Sequence, residues 1–359
     1  MLNSNITTDF FLTAITPNGF ISKLNSVYDF DSSWKCYILK GVSGNGKSTI
    51  LKNIAQKAKE KYQNVEKIHC PINAETLDAV IIQDLHICFV DGTSPNILEP
   101  IYPQSNHIVI PFYDTINEDI LWDKRKEIIS LVDKKKKLEE NCQRFLSATG
   151  SLYKDTYYLA LEATDIAKIY SLAKRISSKE FKPCKKPCNR DNYRFLSVVS
   201  QKGITGFFDT VTSLAEKVYV LQDDFGPSSK ILLSAIKNEA ISNGYEVISC
   251  YSPISSEEKL EHLFVPKLEL AFITTNQFNN IDVPPYRIIN SRRFTDFAKL
   301  KLKKKHLSFN KRSTMQMLAQ SVELLREISS CQKEIDEIYK KAVNYDMVNI
   351  INEELLDLI

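Results

Sequence analysis

Two kinds of pattern recur along this chain, and each occurs twice. Short apolar runs at 34–40 (WKCYILK), 65–70 (VEKIHC), 85–91 (LHICFVD) and 107–112 (HIVIPF) predict buried strands, and apolar residues at helical spacing predict a helix over 48–62. The run from Glu75 to Ile82 is read as a further helix between the strands at 65–70 and 85–91. Strands alternating with helices imply parallel βαβ units. From 117 to 180 the pattern becomes charged, glycine-poor and helically periodic, which predicts a long helical hairpin. Residues 179–192 (KEFKPCKKPCNRDN) concentrate Pro, Lys and polar side chains, the chemistry of a linker.

After the linker the first pattern returns. FLTAITPNGF (11–20) matches FLSVVSQKGI (195–204) at a shift of 184, YILKGVSGNGKSTIL (37–51) matches YVLQDDFGPSSKILL (219–233) at 182, and LHICFVDGT (85–93) matches LELAFITTN (268–276) at 183. A nearly constant offset over three separated segments indicates internal duplication. Met315 to Ile359 is again helical. The expected fold is α/β, with two duplicated parallel-sheet domains, each followed by a helical appendage. Its parts are a first domain at 1–116, a helical hairpin at 117–180, a linker at 181–192, a second domain at 193–296 and a C-terminal helical appendage at 297–359.

Of ten glycines, Gly41, Gly44 and Gly46 fall within six positions, between a predicted strand and a predicted helix. GVSGNGKS satisfies G-x-x-x-x-G-K-[ST], the P-loop pattern, in the context it requires. Backbone N–H groups of Gly41, Val42, Ser43, Gly44, Asn45, Gly46, Lys47, Ser48 and Thr49 would surround phosphate oxygens, aided by the positive end of the helix. Lys47 would reach the β- and γ-phosphates of ATP, and the Ser48 hydroxyl would ligate Mg²⁺. Asp91 ends a strand about 40 residues later, where a carboxylate can hold Mg²⁺ through its water.

No hydrolytic base is evident. His69, Glu75 and Asp78 follow the strand at 65–70 and are candidates to orient a water or a substrate hydroxyl; each also has a structural reading, Glu75 as a helix cap among them. Thr93, Ser94 and Asn96 could contact nucleotide or form turns. The second half is degraded: in the aligned sequences Asp223 stands at Gly41, Ser228 at Gly46, Ser229 at Lys47, Lys230 at Ser48 and Thr274 at Asp91. One active site, in the first half, is expected. Arg292 and Arg293, after the strand-like YRIIN, are candidates for a cation offered to that site by the second half.

The succession LKGVSGNGKST, HCPINAETLDAV and DGTSPN resembles a family of largely uncharacterised tandem P-loop ATPase-like proteins of Gram-positive bacteria, over essentially the whole chain. The resemblance implies two P-loop NTPase-like domains, with Lys47, Ser48 and Asp91 as nucleotide and Mg²⁺ residues. His69, Cys70, Leu77, Asp78, Gly92, Thr93 and Pro95 match its other two signatures. Asn73 and Ala74 depart from an Asp-Pro, Asn96 departs from a His, and the second loop is degenerate. The function expected is slow Mg-dependent ATP hydrolysis coupled to rearrangement between the halves. A small-molecule or nucleotide kinase, or a nucleotide-sensing module for a protein or nucleic-acid partner, stays open as an alternative.

Composition narrows this little further. With 43% hydrophobic and 25% charged residues the chain is globular, and 47 Lys and Arg against 44 Asp and Glu leave +3, too balanced to imply nucleic acid. Local basic runs at 133–140 and 299–307 leave an acidic partner or nucleic acid conceivable but without aromatic interleaving. The helical appendages could engage a protein partner. No apolar stretch is long enough to span a membrane, and the eight cysteines lack a secretory context, so a cytoplasmic protein with reduced thiols is expected. Cys184 and Cys188 form half of a zinc pattern, without a second pair.

Overall fold

The computed structural model describes residues 6–28 and 33–359; the first five residues of the expected first domain, and 29–32, lie outside the described residues. The first half contains β1 (Ile6–Phe10), the hairpin β2 (Thr13–Thr16) and β3 (Gly19–Ser22), then β4 (Lys35–Lys40), α1 (Lys47–Lys61), β5 (Asn64–His69), β6 (Leu77–Ile82), β7 (Ile87–Asp91) and β8 (His107–Pro111). Two helices follow, α2 (Glu118–Leu161) and α3 (Ile166–Glu180).

The second half repeats this series. It runs β9 (Asp191–Arg194), β10 (Ser197–Ser200), β11 (Gly203–Gly206), α4 (Asp209–Leu214), β12 (Lys217–Gln222), α5 (Pro227–Ser242), β13 (Val247–Tyr251), β14 (Leu260–Val265), β15 (Leu270–Thr275) and β16 (Arg287–Asn290). Helices α6 (Phe297–Leu302), α7 (Lys304–Lys340) and α8 (Tyr345–Leu356) complete the chain.

Both sheets have six strands in the same order, β1-β5-β6-β7-β4-β8 and β9-β13-β14-β15-β12-β16. They are mixed, which corrects the expectation of parallel sheets. The predicted helix at 75–82 is instead strand β6, antiparallel to both β5 and β7. All six of its residues are buried. A short apolar run has no period of its own to distinguish strand from helix, and here pairing on both edges decides for strand.

Alternate residues of the central strands face different cores, as the period of two requires. Cys36 and Ile38 join Val218, Val220, Phe264 and Ile273 in a core shared by the inner faces of both sheets, while Tyr37 and Leu39 face α1. Phe10 and Phe264 meet edge-on there, with ring centroids 6.1 Å apart. Phe11 and Phe195 exchange two backbone hydrogen bonds of 2.9 and 2.8 Å across the junction. Equivalent residues thus pair with each other, the mark of a two-fold arrangement within one chain. The buried Glu66 and Arg194 form a salt bridge between the halves.

The helical appendages are exchanged. Helix α3 packs on α5 through Ile169, Leu172 and Ile176, and α8 packs on α1 through Val348 and Leu355. Segment 117–180 is therefore not a self-contained hairpin. Helices α2 and α7 run antiparallel, joined by Lys135 to Gln332, Cys142 to Ser321 and Asn310 to Asp155. Among the described residues no helix is long and apolar enough to cross a membrane.

This exchange predicts that a change in α8 unfolds the first domain. Leu355 is 3% exposed, and Leu355→Ala should cost about 2–5 kcal/mol in urea denaturation, the range for a buried leucine. A loss under about 1 kcal/mol would show that α8 does not complete that core.

Candidate functional site

Strands β4 and β7 are parallel neighbours, with Leu39 opposite Asp91, so the loop after β4 and the carboxylate ending β7 emerge at one sheet edge. The loop turns through Gly44 at φ +75° and Gly46 at φ +91°, values that glycine adopts without strain. Gly46 precedes α1 with no side chain capping the helix, so the first-turn N–H groups face the loop interior.

Lys47 is buried inside this turn. Its Nζ donates to the Val42 carbonyl at 2.6 Å and to Asn45 Oδ1 at 2.9 Å, and lies 3.6 Å from Asp91 Oδ2. Burial lowers its pKa, opposed by the Asp91 charge. Asn45 is 1% exposed and its Nδ2 has no acceptor. A donor stranded in a glycine loop at a helix N-terminus is the feature an anion would satisfy. Ser48 Oγ accepts the Leu77 N–H at 3.0 Å, and Thr49 is exposed. Thr93 ties the loops together: its Oγ1 accepts from Gly41 N–H at 3.3 Å and its own N–H donates to Asp91 Oδ1 at 3.0 Å.

The other half covers this loop. Ser43 donates to Asp336, and Gln332 Nε2 donates to Ser43 at 2.8 Å. A Cβ on Gly44 would lie 2.8 Å from the Asp336 carbonyl oxygen, and one on Gly46 would lie 3.2 Å from Val348. These neighbours, some 290 residues away in sequence, carried no motif and were invisible to sequence reading.

The three candidate bases separate. Asp78, at the start of β6, is buried beside Asp91; its Oδ2 accepts from Asn96 Nδ2 at 3.0 Å and from Thr13 at 3.3 Å. Burial, and then the Asp91 charge, push its pKa up to about 7. Burial and Asp78 likewise push the neighbouring Cys70 up to about 12. His69 is turned toward the domain junction. Nε2 lies 2.6 Å from Asp9, Nδ1 lies 2.7 Å from the Ala74 carbonyl, and the ring stands 4.0 Å from that of Phe207. Glu75 is exposed and pairs with Lys202 of the second half at 3.0 Å. It lies in a loop, since the helix it was expected to cap is absent. Ser94 lies in the turn between Thr93 and Asn96.

The second cradle is shorter by two residues, because four positions separate Gln222 from the left-handed Gly226 where six separate Lys40 from Gly46. Pro227 therefore occupies the place of Lys47, correcting the pairing of Ser229 with it. Asp223 fills the loop from within, its carboxylate accepting the N–H groups of Gly226 at 3.1 Å and Ser229 at 2.7 Å. Lys230 points elsewhere, to Glu257 at 3.1 Å.

Arg292 and Arg293 are on the second domain's own edge, Arg292 lining an open cleft whose walls include Asp224 and Asn276 and Arg293 over the Phe294 ring. The second-half residues at the first loop are those of α7 and α8. Cys184 lies 2.9 Å from Lys267 Nζ, and among the described residues no group of three or more His, Cys, Asp or Glu could hold a metal.

Comparison of the chain with protein-family models, with curated proteins and with solved structures finds no match to any of them.

Asp78 sets a pH dependence. Its folded-state pKa lies above the unfolded value, so its contribution is full below about pH 4 and is lost as pH rises through about 7. Asp78→Asn should remove this decline in metal-free protein, raising stability at pH 8 by at most roughly 4 kcal/mol at 1.36 kcal/mol per pKa unit. Parallel stability–pH profiles for the two proteins would show that Asp78 is not held in this way.

Proposed function

We propose that the chain binds ATP with Mg²⁺ at a single site in the first domain and hydrolyses it slowly, in step with movement of the second half's helices. The observation that carries this reading is the buried Lys47, fixed at the mouth of a glycine loop beside an unpaired Asn45 amide and 3.6 Å from Asp91. An ammonium and a set of convergent N–H groups suit the β- and γ-phosphates, whose charge they neutralise as the leaving group departs.

The residues present fit Mg²⁺ as a shared ligand rather than as a resident ion. Ser48 and Asp91 would hold it, with the phosphates supplying the remaining oxygens, in keeping with Mg²⁺ sites that rely on one or two carboxylates. Bound there, the ion would offset charge on the phosphate oxygens. Lys47 would exchange its bonds to Val42 and Asn45 for bonds to the γ-phosphate. Ser43 and Gly44 touch Asp336, so a loop reshaped by phosphate must move against α7, which supports coupling between the halves.

Lys47→Ala should weaken Mg-ATP binding by at least ~100-fold in titration calorimetry, from the loss of two charge-assisted hydrogen bonds of about 1.5–3 kcal/mol each. Unchanged affinity would remove the site assignment. The wild-type chain should take up one nucleotide, not two, because Asp223 fills the second cradle. Asp91→Asn should retain nucleotide yet lose most Mg²⁺-dependent phosphate release.

A further inference from the structure

The two halves place the same framework around different chemistry, and the comparison locates a cation. In β6 the register passes from Ile68 opposite Ala79 to His69 opposite Leu77, which leaves Asp78 as a bulge, and in β14 it passes likewise from Cys250 opposite His262 to Tyr251 opposite Leu260, which leaves Glu261 as a bulge. The residues align accordingly: Thr76 with Lys259 and Asp78 with Glu261. Matching backbone bonds, Cys70 N–H to Thr76 O at 3.0 Å and Ser252 N–H to Lys259 O at 2.9 Å, confirm the correspondence.

In the second half the acid at this position has a cation of its own. Lys259 and Glu261 are each 1% exposed and meet at 2.5 Å, and Asn276 donates to the other Glu261 oxygen at 2.6 Å. The Lys259 side chain reaches the loop itself, its Cε 3.0 Å from where a Cβ on Gly226 would stand. With Asp223 in the cradle, the second half thus holds an internal anion and an internal cation side by side. Both charges of a metal-phosphate pair are supplied by its own side chains.

The first half has the same framework and neither of those side chains. Gly41 stands at Asp223 and Thr76 at Lys259. It has two stranded polar atoms in its loops, the Asn45 Nδ2 donor in the cradle and the Asn96 Oδ1 acceptor beside Asp78, whereas the stranded His262 Nε2 and Thr274 Oγ1 of the second half lie on β14 and β15. Asn96 is 7% exposed, and its amide nitrogen is already committed to Asp78. A buried acceptor next to a buried carboxylate is satisfied by a cation or its water. Asp78 also adjoins the expected ligands, since Leu77 N–H bonds Ser48 and the next residue, Ala79, pairs with Val90 beside Asp91.

We propose that Asp78, with the Asn96 side-chain oxygen, forms part of the divalent-cation subsite of the first domain, at the place where the second domain carries Lys259. The assignment rests on the reading of the first loop as a nucleotide site. Asp78 then holds the cation that accompanies the nucleotide, and the second domain is a permanent, self-liganded copy of the occupied state.

The test is the strengthening of ATP binding by Mg²⁺, from calorimetric titrations in EDTA and in Mg²⁺, with Mn²⁺ uptake in the presence of ATP followed by electron paramagnetic resonance. In Asp78→Asn the gain in ATP affinity from EDTA to Mg²⁺, taken as a ratio within that variant, and its Mn²⁺ affinity should both fall about tenfold or more. Thr76→Lys, which copies Lys259, should lose the Mg²⁺ gain as well, with the new ammonium in place of the metal. An Asp78→Asn protein that keeps the wild-type Mg²⁺ gain overturns the assignment alone. If that variant does not fold, a Thr76→Lys protein with an unchanged gain overturns it equally. A wild-type chain that binds no ATP in either condition overturns the nucleotide reading and this assignment with it.

Discussion

The structure depends on burying the inner face of one sheet against the inner face of the other. Each sheet carries apolar side chains on both sides; one side is covered by the helix between β4 and β5 or between β12 and β13, and the other joins a core to which both halves contribute. Ile38, Ile68 and Val90 on one side and Val220, Phe264 and Ile273 on the other form a common core that neither half completes alone. At about 25 cal/mol per Å² of apolar surface removed from water, a face of this size outweighs any single polar contact at the junction. The paired backbone of Phe11 and Phe195 and the buried Glu66–Arg194 bridge set the register of that contact. Removing one partner of the bridge would leave the other charge buried and uncompensated.

That constraint accounts for a second domain whose loop after β12 is filled by its own Asp223. Its sheet is the wall of the first domain's core, and α8 is part of the cover on α1. The second domain can shorten its loop without loss of that role. Asp223 meets the helix N-terminus that a phosphate would otherwise meet, and Lys259 meets Glu261. The first cradle has a stranded Asn45 amide nitrogen where the second has the Asp223 carboxylate.

The exchange of helices also connects the first loop to distant parts of the chain. Gln332 and Asp336 on α7 grip Ser43, and Val348 on α8 rests against Gly46. Helix α7 lies along α2, whose far end carries Tyr153 and Tyr157 to the second cradle, near Gly226. A long antiparallel helix pair thus runs from the first loop to the second cradle.

The sequence alone determined the duplication, the strands β4, β5, β7 and β8 of the first sheet, the glycine turn between β4 and α1, and the place of Asp91 at the end of β7. Each of these is local. A constant offset, a period of two, or a glycine turn between strand and helix is written in consecutive residues, because the backbone geometry that needs it spans only a few positions. Tertiary structure decided the rest. It made 77–82 a strand, because a buried apolar run takes its form from its neighbours on both edges. It turned His69 to the junction and Glu75 to the surface while placing Asp78 against Asp91, since proximity across strands leaves no trace in sequence spacing. It gave α3 and α8 to opposite halves, and it set Asp336, rather than Arg292, against the first loop. Those outcomes follow from which apolar faces remain uncovered once both sheets have formed, a property of the assembled surface and not of any one segment.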